Sequence, residues 1–189
     1  MQNLLRCLIM ASTVSWAGCA EKSPSAGGTN ASTGPATSAA ATNQRESSSI
    51  WSPTKAQARL RTTKLYVGSE VITAELALTE AEVRTGMMFR TSMREDEGML
   101  FVFAYPHRTS FYMKNTIVPL TAAYIDPEGT ILELVDLHPK NETPVEAKSD
   151  NIQFVLEMNR DWFKRHNVSP GSVISTEAGP LSKMFAPRR

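Results

Sequence analysis

Between Ala20 and Ser49, 23 of 30 residues are Ser, Thr, Ala, Gly or Pro, and such a stretch lacks the apolar surface needed to offset the entropy of ordering a chain. Folding is thereby confined to the residues that follow, which also carry every aromatic side chain except Trp16. The stretch reads as a tether, and at roughly 5–6 Å times the square root of its length it holds a domain on the order of 30 Å from its attachment point. Beyond it lie roughly 120 residues, enough for one core and too few for several domains.

Ahead of the tether, Met1 to Cys19 place a single charge, Arg6, before a short apolar run and then small residues, which is the order of an export signal. The run is shorter than the roughly 20 residues a helix needs to cross a bilayer. Ala17-Gly18-Cys19 looks like the end of a bacterial lipobox, whose cysteine is lipidated before cleavage, although Trp16 stands where an aliphatic residue is usual. Residues 1–18 are therefore expected to be a lipoprotein-type signal peptide, and 19–56 the lipidated Cys19 with its tether. The alternative is an ordinary secretory signal in which Cys19 is incidental. On the lipobox reading Cys7 is discarded and Cys19 alone remains, which leaves neither a disulfide nor a thiol nucleophile. Acylation makes the membrane the first expected partner and the cell envelope the expected location. Ala20 rather than Asp follows the cysteine, so with two membranes the outer one is expected. Removing residues 1–18 takes away only Arg6 and leaves 19 basic against 19 acidic residues, a balance that offers no case for a nucleic-acid partner.

From Thr62 the chain breaks into short alternating segments. Lys64-Leu65-Tyr66-Val67 leads into Gly68-Ser69 and then into Ile72, Ala74, Leu76 and Leu78 on one face, which predicts a hairpin turning at the glycine. Thr79-Glu80-Ala81-Glu82 is a capping box that opens a helix, and Gly86 closes it. The unbroken apolar run from Gly98 to Phe103 predicts a strand buried on both faces and stopped by Pro106. Further strands are predicted over Thr109–Met113, Thr121–Ile125, Thr130–Leu137, Ile152–Met158 and Ser172–Ser175, with Asp126-Pro127-Glu128-Gly129 as a turn. Asn159 is placed to cap a second short helix through Trp162 and Phe163, and Asn167 to close it. The predicted fold is mainly β, a β-rich α+β domain over 57–180: a compact antiparallel β-sandwich or barrel with two short helices, followed by a basic tail over 181–189.

Glu75, the run Thr79 to Arg90, Gly98 to Phe103, the block Phe111-Tyr112-Met113-Lys114-Asn115-Thr116, Pro119-Leu120, Ile125-Asp126, Gly129 and Val155-Leu156-Glu157 together resemble domain-of-unknown-function family 192, also known as uncharacterised protein family 0127. The resemblance spans about residues 62–176. It implies a compact β-sandwich-like domain with short helices, often behind an export or lipoprotein signal, and it implies no particular activity. Two positions depart from the family pattern: Thr121 replaces an aspartate after the Pro-Leu pair, and Arg160-Asp161 stand where a glycine is usual after Val-Leu-Glu.

The resemblance draws Arg84, Arg90, Lys114, Asn115 and Glu157 into one set. One reading pairs a buried Lys or Arg with Glu157 for fold specificity. A second makes the set a pocket for a small anionic or polyhydroxylated ligand or an envelope component. A third is a hydrolase or transferase built on Lys114, Asn115, Glu157 and an arginine. On a strand Lys114 points away from Met113 and Asn115, which weighs against a single pocket holding them all. The thioethers of Met87, Met88 and Met93 suit Cu(I), against the commoner use of Met as core filler. His107, His138 and His166 stand alone without metal-ligand spacing, and neither a nucleophile elbow nor a phosphate loop is present. The leading expectation is a lipid-anchored, non-enzymatic ligand or interaction module needing no cofactor.

Overall fold

The computed structural model describes residues 53–185; the expected signal, Cys19 and nearly all of the tether lie outside the described residues. The first predicted elements form as the alternation requires. β1 (Thr62–Val67) and β2 (Glu70–Ala77) pair antiparallel around Gly68-Ser69. α1 (Glu80–Thr85) opens on the full capping box, with the Thr79 hydroxyl accepting from the Glu82 amide and the Glu82 carboxylate accepting from the Thr79 amide. Those amide bonds hold the Glu82 carboxyl below the usual carboxylate range.

The helix also decides the topology. β3 (Glu97–His107) runs parallel to β2, because a helix and the loop after it carry the chain across the sheet instead of turning it back. The predicted, mainly antiparallel arrangement holds for the other strand pairs, and this one parallel pair makes the sheet mixed. β3 also runs through Pro106, since the ladder shifts register between Val102 and His107 and leaves the proline no amide to donate there. β4 (Ser110–Phe111) is shorter than predicted and pairs with β7 (Val145–Glu146) in a separate two-stranded ribbon. β5 (Leu120–Ile125), β6 (Ile131–Leu137) and β8 (Ile152–Asn159) follow the prediction closely.

α2 (Trp162–Arg165) forms where expected, but Asn159 belongs to β8, and its side-chain amide donates to the carbonyls of Met93 and Arg94 instead of capping the helix. The cap position is Asp161, at φ 61°. Asn167 closes the helix at φ 56°. After β9 (Ile174–Thr176) come a further short strand, β10 (Gly179–Pro180), and a third helix, α3 (Leu181–Met184). Leu181 is fully buried and Phe185 packs on the core, so the folded part continues past residue 180.

The main sheet runs β10-β9-β1-β2-β3-β8-β5-β6. It curls, and a single bridge joins Thr130 to Val173, with Ile174 donating to the Gly129 carbonyl at 2.8 Å. Gly129 has φ 93°, and a Cβ there would stand 2.5 Å from the Ile174 carbonyl oxygen, so this approach requires glycine. The sheet nevertheless remains open and is not a barrel.

The central strands are buried on both faces, and their two faces feed two separate cores. Leu100, Ile125, Phe154, Leu156 and Met158 pack with Trp162 and Phe163 of α2 on the first face. Met99, Phe101, Leu120, Tyr124 and Val155 pack on the second. There the cover is made of α1, the loop after it, the 111–118 segment and the β4–β7 ribbon.

Candidate functional site

The strand register places a row of side chains across the second face. Glu75 on β2 lies beside Met99 on β3, Met99 lies opposite Glu157 on β8, and Glu157 lies opposite Ala122 on β5. Two carboxylates thus sit on one apolar face, separated by a single strand. Each is almost fully buried, at 8% and 4% exposure.

Their surroundings differ. Arg90 follows α1 and forks onto Glu75, with Nη1 to Oε1 at 2.8 Å and Nη2 to Oε2 at 2.9 Å. The Leu60 amide donates to the same Oε2 at 2.7 Å. Glu75 is therefore neutralised and hydrogen-bonded, which is what a buried carboxylate requires. Glu157 receives no hydrogen bond and makes no ion pair among the described residues, and burial pushes its carboxyl up to about 8. The expected pairing of an arginine or lysine with Glu157 is corrected: the arginine pairs with Glu75 instead.

Glu157 forms part of the wall of a pocket of about 190 Å³ between the second face and its cover. Phe101 and Phe103 of β3, Phe111 of β4 and Tyr112 just after it supply aromatic walls. Phe101 and Phe111 meet edge to face, with centroids 4.9 Å apart. The C-terminal end of α1 contributes Val83, Arg84, Thr85 and Gly86. Gly86 has φ 46°, and a Cβ there would lie 3.2 Å from the Phe101 ring, so glycine both ends the helix and lets it lie on the aromatic wall. Gln57 secures this end by donating to the carbonyls of Glu82 and Gly86.

After β4 the block Tyr112–Thr116 makes a tight turn, so the strand predicted to Met113 ends at Phe111. Met113 is buried in the second core, and its amide donates to the Asn141 carbonyl at 2.7 Å. Asn115 takes φ 55°, a left-handed conformation that asparagine tolerates better than most residues, and its carbonyl accepts from Phe89 at 2.8 Å. The turn presents Phe111, Tyr112 and Thr116 to the pocket while Lys114 and Asn115 remain outside its lining.

Of the five expected site residues, the pocket thus brings together Arg84 and Glu157. Arg84 lies at the exposed mouth and is paired with Glu80 at 2.7 Å. Arg90 serves Glu75, and Asn115 shapes the turn. Of the three methionines considered for Cu(I), Met87 lies in the second core, Met93 packs against it and Met88 lines the pocket; all three pack as apolar filler. Among the described residues no three of His, Cys, Asp and Glu cluster as metal ligands. Sequence reasoning missed the pocket's hydroxyls, Thr85, Thr109, Ser110 and Thr116, as well as the aromatic walls. It also gave Glu75 no role beyond the resemblance, although a charge inside the otherwise apolar Ala74-Glu75-Leu76-Ala77 is a visible anomaly.

The departures from the family pattern find local reasons. Thr121 donates to Asp136 at 2.7 Å and accepts from the Asp161 amide at 3.0 Å, a hub in which the hydroxyl both gives and receives. Asp161 holds the left-handed position that a glycine would fill without strain.

The sequence profile of the DUF192 family, described as Uncharacterized ACR, matches residues 63–176. A crystal structure described as a candidate transcription regulator from Sinorhizobium meliloti 1021 superposes with a TM-score of 0.61 at 29% identity, covering 64% of this chain and 97% of that one. A protein of unknown function from Novosphingobium aromaticivorans DSM 12444 superposes with a TM-score of 0.59 at 31% identity, covering 61% of this chain and 86% of that one. No curated protein matches the chain.

Proposed function

Since the chain belongs to the DUF192 family, a membership that accounts for its fold and leaves its chemistry open, we propose that it is a non-enzymatic small-ligand binding module held on the cell envelope by a lipid at Cys19. The observation that carries the binding reading is Glu157: a carboxyl 4% exposed, without a partner among the described residues, on the wall of a pocket lined mainly by rings, hydroxyls and apolar groups, with Arg84 at its mouth. Leaving such a group unpaired costs a fold stability, and a ligand that pairs with it recovers part of that cost. Binding is favoured over hydrolysis or group transfer because Lys114 and Asn115 lie outside the pocket lining and Glu75 is occupied by Arg90, which leaves Glu157 as the one carboxyl there.

The envelope location is supported by the charge, apolar run and small residues that precede Cys19. No helix among the described residues is long and apolar enough to cross a membrane. Net charge of +1 offers no general attraction to nucleic acid, so the description of the Sinorhizobium protein is not extended to this chain.

Thermal denaturation of the purified protein against a panel of cationic, neutral and anionic compounds of one-ring size tests the binding reading. A saturable rise in Tm with at least one of them is expected; a flat response across the panel sinks the reading. Metabolic labelling with a radioactive fatty acid, lost in Cys19→Ser, is the expected result for the anchor.

A further inference from the structure

We propose that the pocket at Glu157 takes a small organic cation, an ammonium group carried on a flat apolar body, with Glu157 as its counter-ion. The inference rests on the reading of the pocket as a ligand site and adds the class of ligand.

The first argument is the polarity of the hydroxyls. A threonine hydroxyl has one hydrogen to give. Thr85 gives its hydrogen to the Ala81 carbonyl at 2.7 Å, and Thr116 to the Lys114 carbonyl at 3.3 Å. What both can offer a ligand is therefore lone pairs. An ionised Glu157 adds acceptors only. Thr109, Ser110 and Tyr112 keep hydrogens of their own to give, but the two most buried hydroxyls of the pocket, Thr116 and Thr85, and an ionised Glu157 present acceptors together, so a ligand carrying donors suits that part of the wall.

The second argument is the walls. Phe101, Phe103, Phe111 and Tyr112 enclose the same space, and aromatic faces attract cations as well as apolar groups. The volume of about 190 Å³ exceeds the roughly 150 Å³ cavity that holds one benzene, leaving room for a short ammonium arm. Among the described residues no cationic cluster lines the pocket. One reading of Arg84, Arg90, Lys114, Asn115 and Glu157 is a pocket for a small anionic or polyhydroxylated ligand, but Arg90 is bound to Glu75 and Lys114 is outside the lining. Arg84 alone remains, at the solvent-exposed mouth and paired with Glu80.

Binding a cation requires Glu157 to be ionised, and burial keeps it protonated at neutral pH. The complex therefore forms with loss of the Glu157 carboxyl proton to the buffer, while the ammonium keeps its own. The other ionisable groups around Glu157 do not mimic this change. Glu75 on β2 and Arg90 after α1 neutralise each other. Arg84 on α1 is a permanent cation. Tyr124 on β5 donates to the Val145 carbonyl, and burial raises its pKa well above the usual phenol range, while Tyr112 stands at the exposed mouth. His107 packs edge-on behind Phe103, centroids 4.7 Å apart, and a His107→Gln control removes it.

Calorimetric titration of the full chain with benzylammonium, benzyl alcohol and benzoate at pH 6, 7 and 8 decides the matter. Benzylammonium is expected to bind at least about tenfold more tightly than benzyl alcohol, with its Kd falling about tenfold from pH 6 to pH 7, the change expected for coupling to one proton. Close to one proton is expected to be released per ligand at pH 7, read from buffers of different ionisation enthalpy. Glu157→Gln is expected to abolish that release and the pH dependence and to remove the preference for benzylammonium over benzyl alcohol. Should the variant fail to fold, the proton count on the unaltered protein still decides. Equal or tighter binding of the alcohol or of benzoate, or benzylammonium binding without proton release, overturns the ligand class and leaves the pocket reading standing. Silence from all three probes removes both.

Discussion

The two faces of the main sheet are built from the same strands, yet they do different work. On the first face, Trp162, Phe163, Leu181 and the curled edges of the sheet enclose an apolar core. Its two buried threonines, Thr121 and Thr176, each donate a hydrogen bond. On the second face the cover is a six-residue helix, turns and a two-stranded ribbon, and under it lie both buried carboxylates among the described residues. The difference teaches that burial by itself marks nothing: Glu75 and Glu157 are buried alike, and only the one without an arginine borders open space. The face packed on Trp162 and Phe163 serves stability, whereas the face roofed by turns retains a pocket that a buried carboxyl borders.

Three changes break or sharpen this contrast. The largest effect is expected from Trp162→Ala on the first face, which removes a fully buried indole packed on Phe163 and is expected to cost about 4 kcal/mol in urea denaturation without altering binding at the opposite face. If ligand affinity drops with it, the two faces are not independent. Next, Arg90→Ala strands the Glu75 carboxylate and is expected to cost about 3 kcal/mol. Adding Glu75→Gln is expected to restore part of that loss; a double variant no more stable than the single one would falsify the assignment of the cost to an unpaired charge.

The smallest effect concerns pH. The Glu157 carboxyl has a raised pKa in the folded protein, so its contribution is fully present below the ordinary carboxyl range near 4.5 and is lost as pH rises toward about 8. Between pH 6 and 7.5 the unaltered protein is therefore expected to lose about 2 kcal/mol relative to Glu157→Gln. Parallel stability curves for the two proteins across that range would mean that the carboxyl is solvated or paired in solution.

Much of the fold was legible because its signals are local. The Gly68-Ser69 hairpin, the Thr79–Glu82 capping box, the doubly buried Gly98–Phe103 strand and the Asp126–Gly129 turn each follow from residues within a few positions of one another. The parallel pairing of β2 with β3 was not legible in this way, although the helix that causes it was. The candidate site was half legible. Glu157 and Arg84 reach the pocket, but Lys114 and Asn115, weighed by strand geometry, occupy a turn, and the guanidinium expected at Glu157 is Arg90 at Glu75. A pairing of two residues 15 positions apart, such as Arg90 with Glu75, leaves no periodic trace.

Taken alone, the amino-acid order determined where a core could form, that it would be mainly β, where the chain would turn, and which strands would be apolar on both sides, since hydrophobic period and turn chemistry act through nearest neighbours. The tertiary structure decided which strand lies beside which, and so which buried carboxyl meets a guanidinium and which faces an aromatic pocket. That choice depends on segments brought together from residues 57 to 157, and charge pairing in a low-dielectric interior is settled by distance in space, not by spacing along the chain.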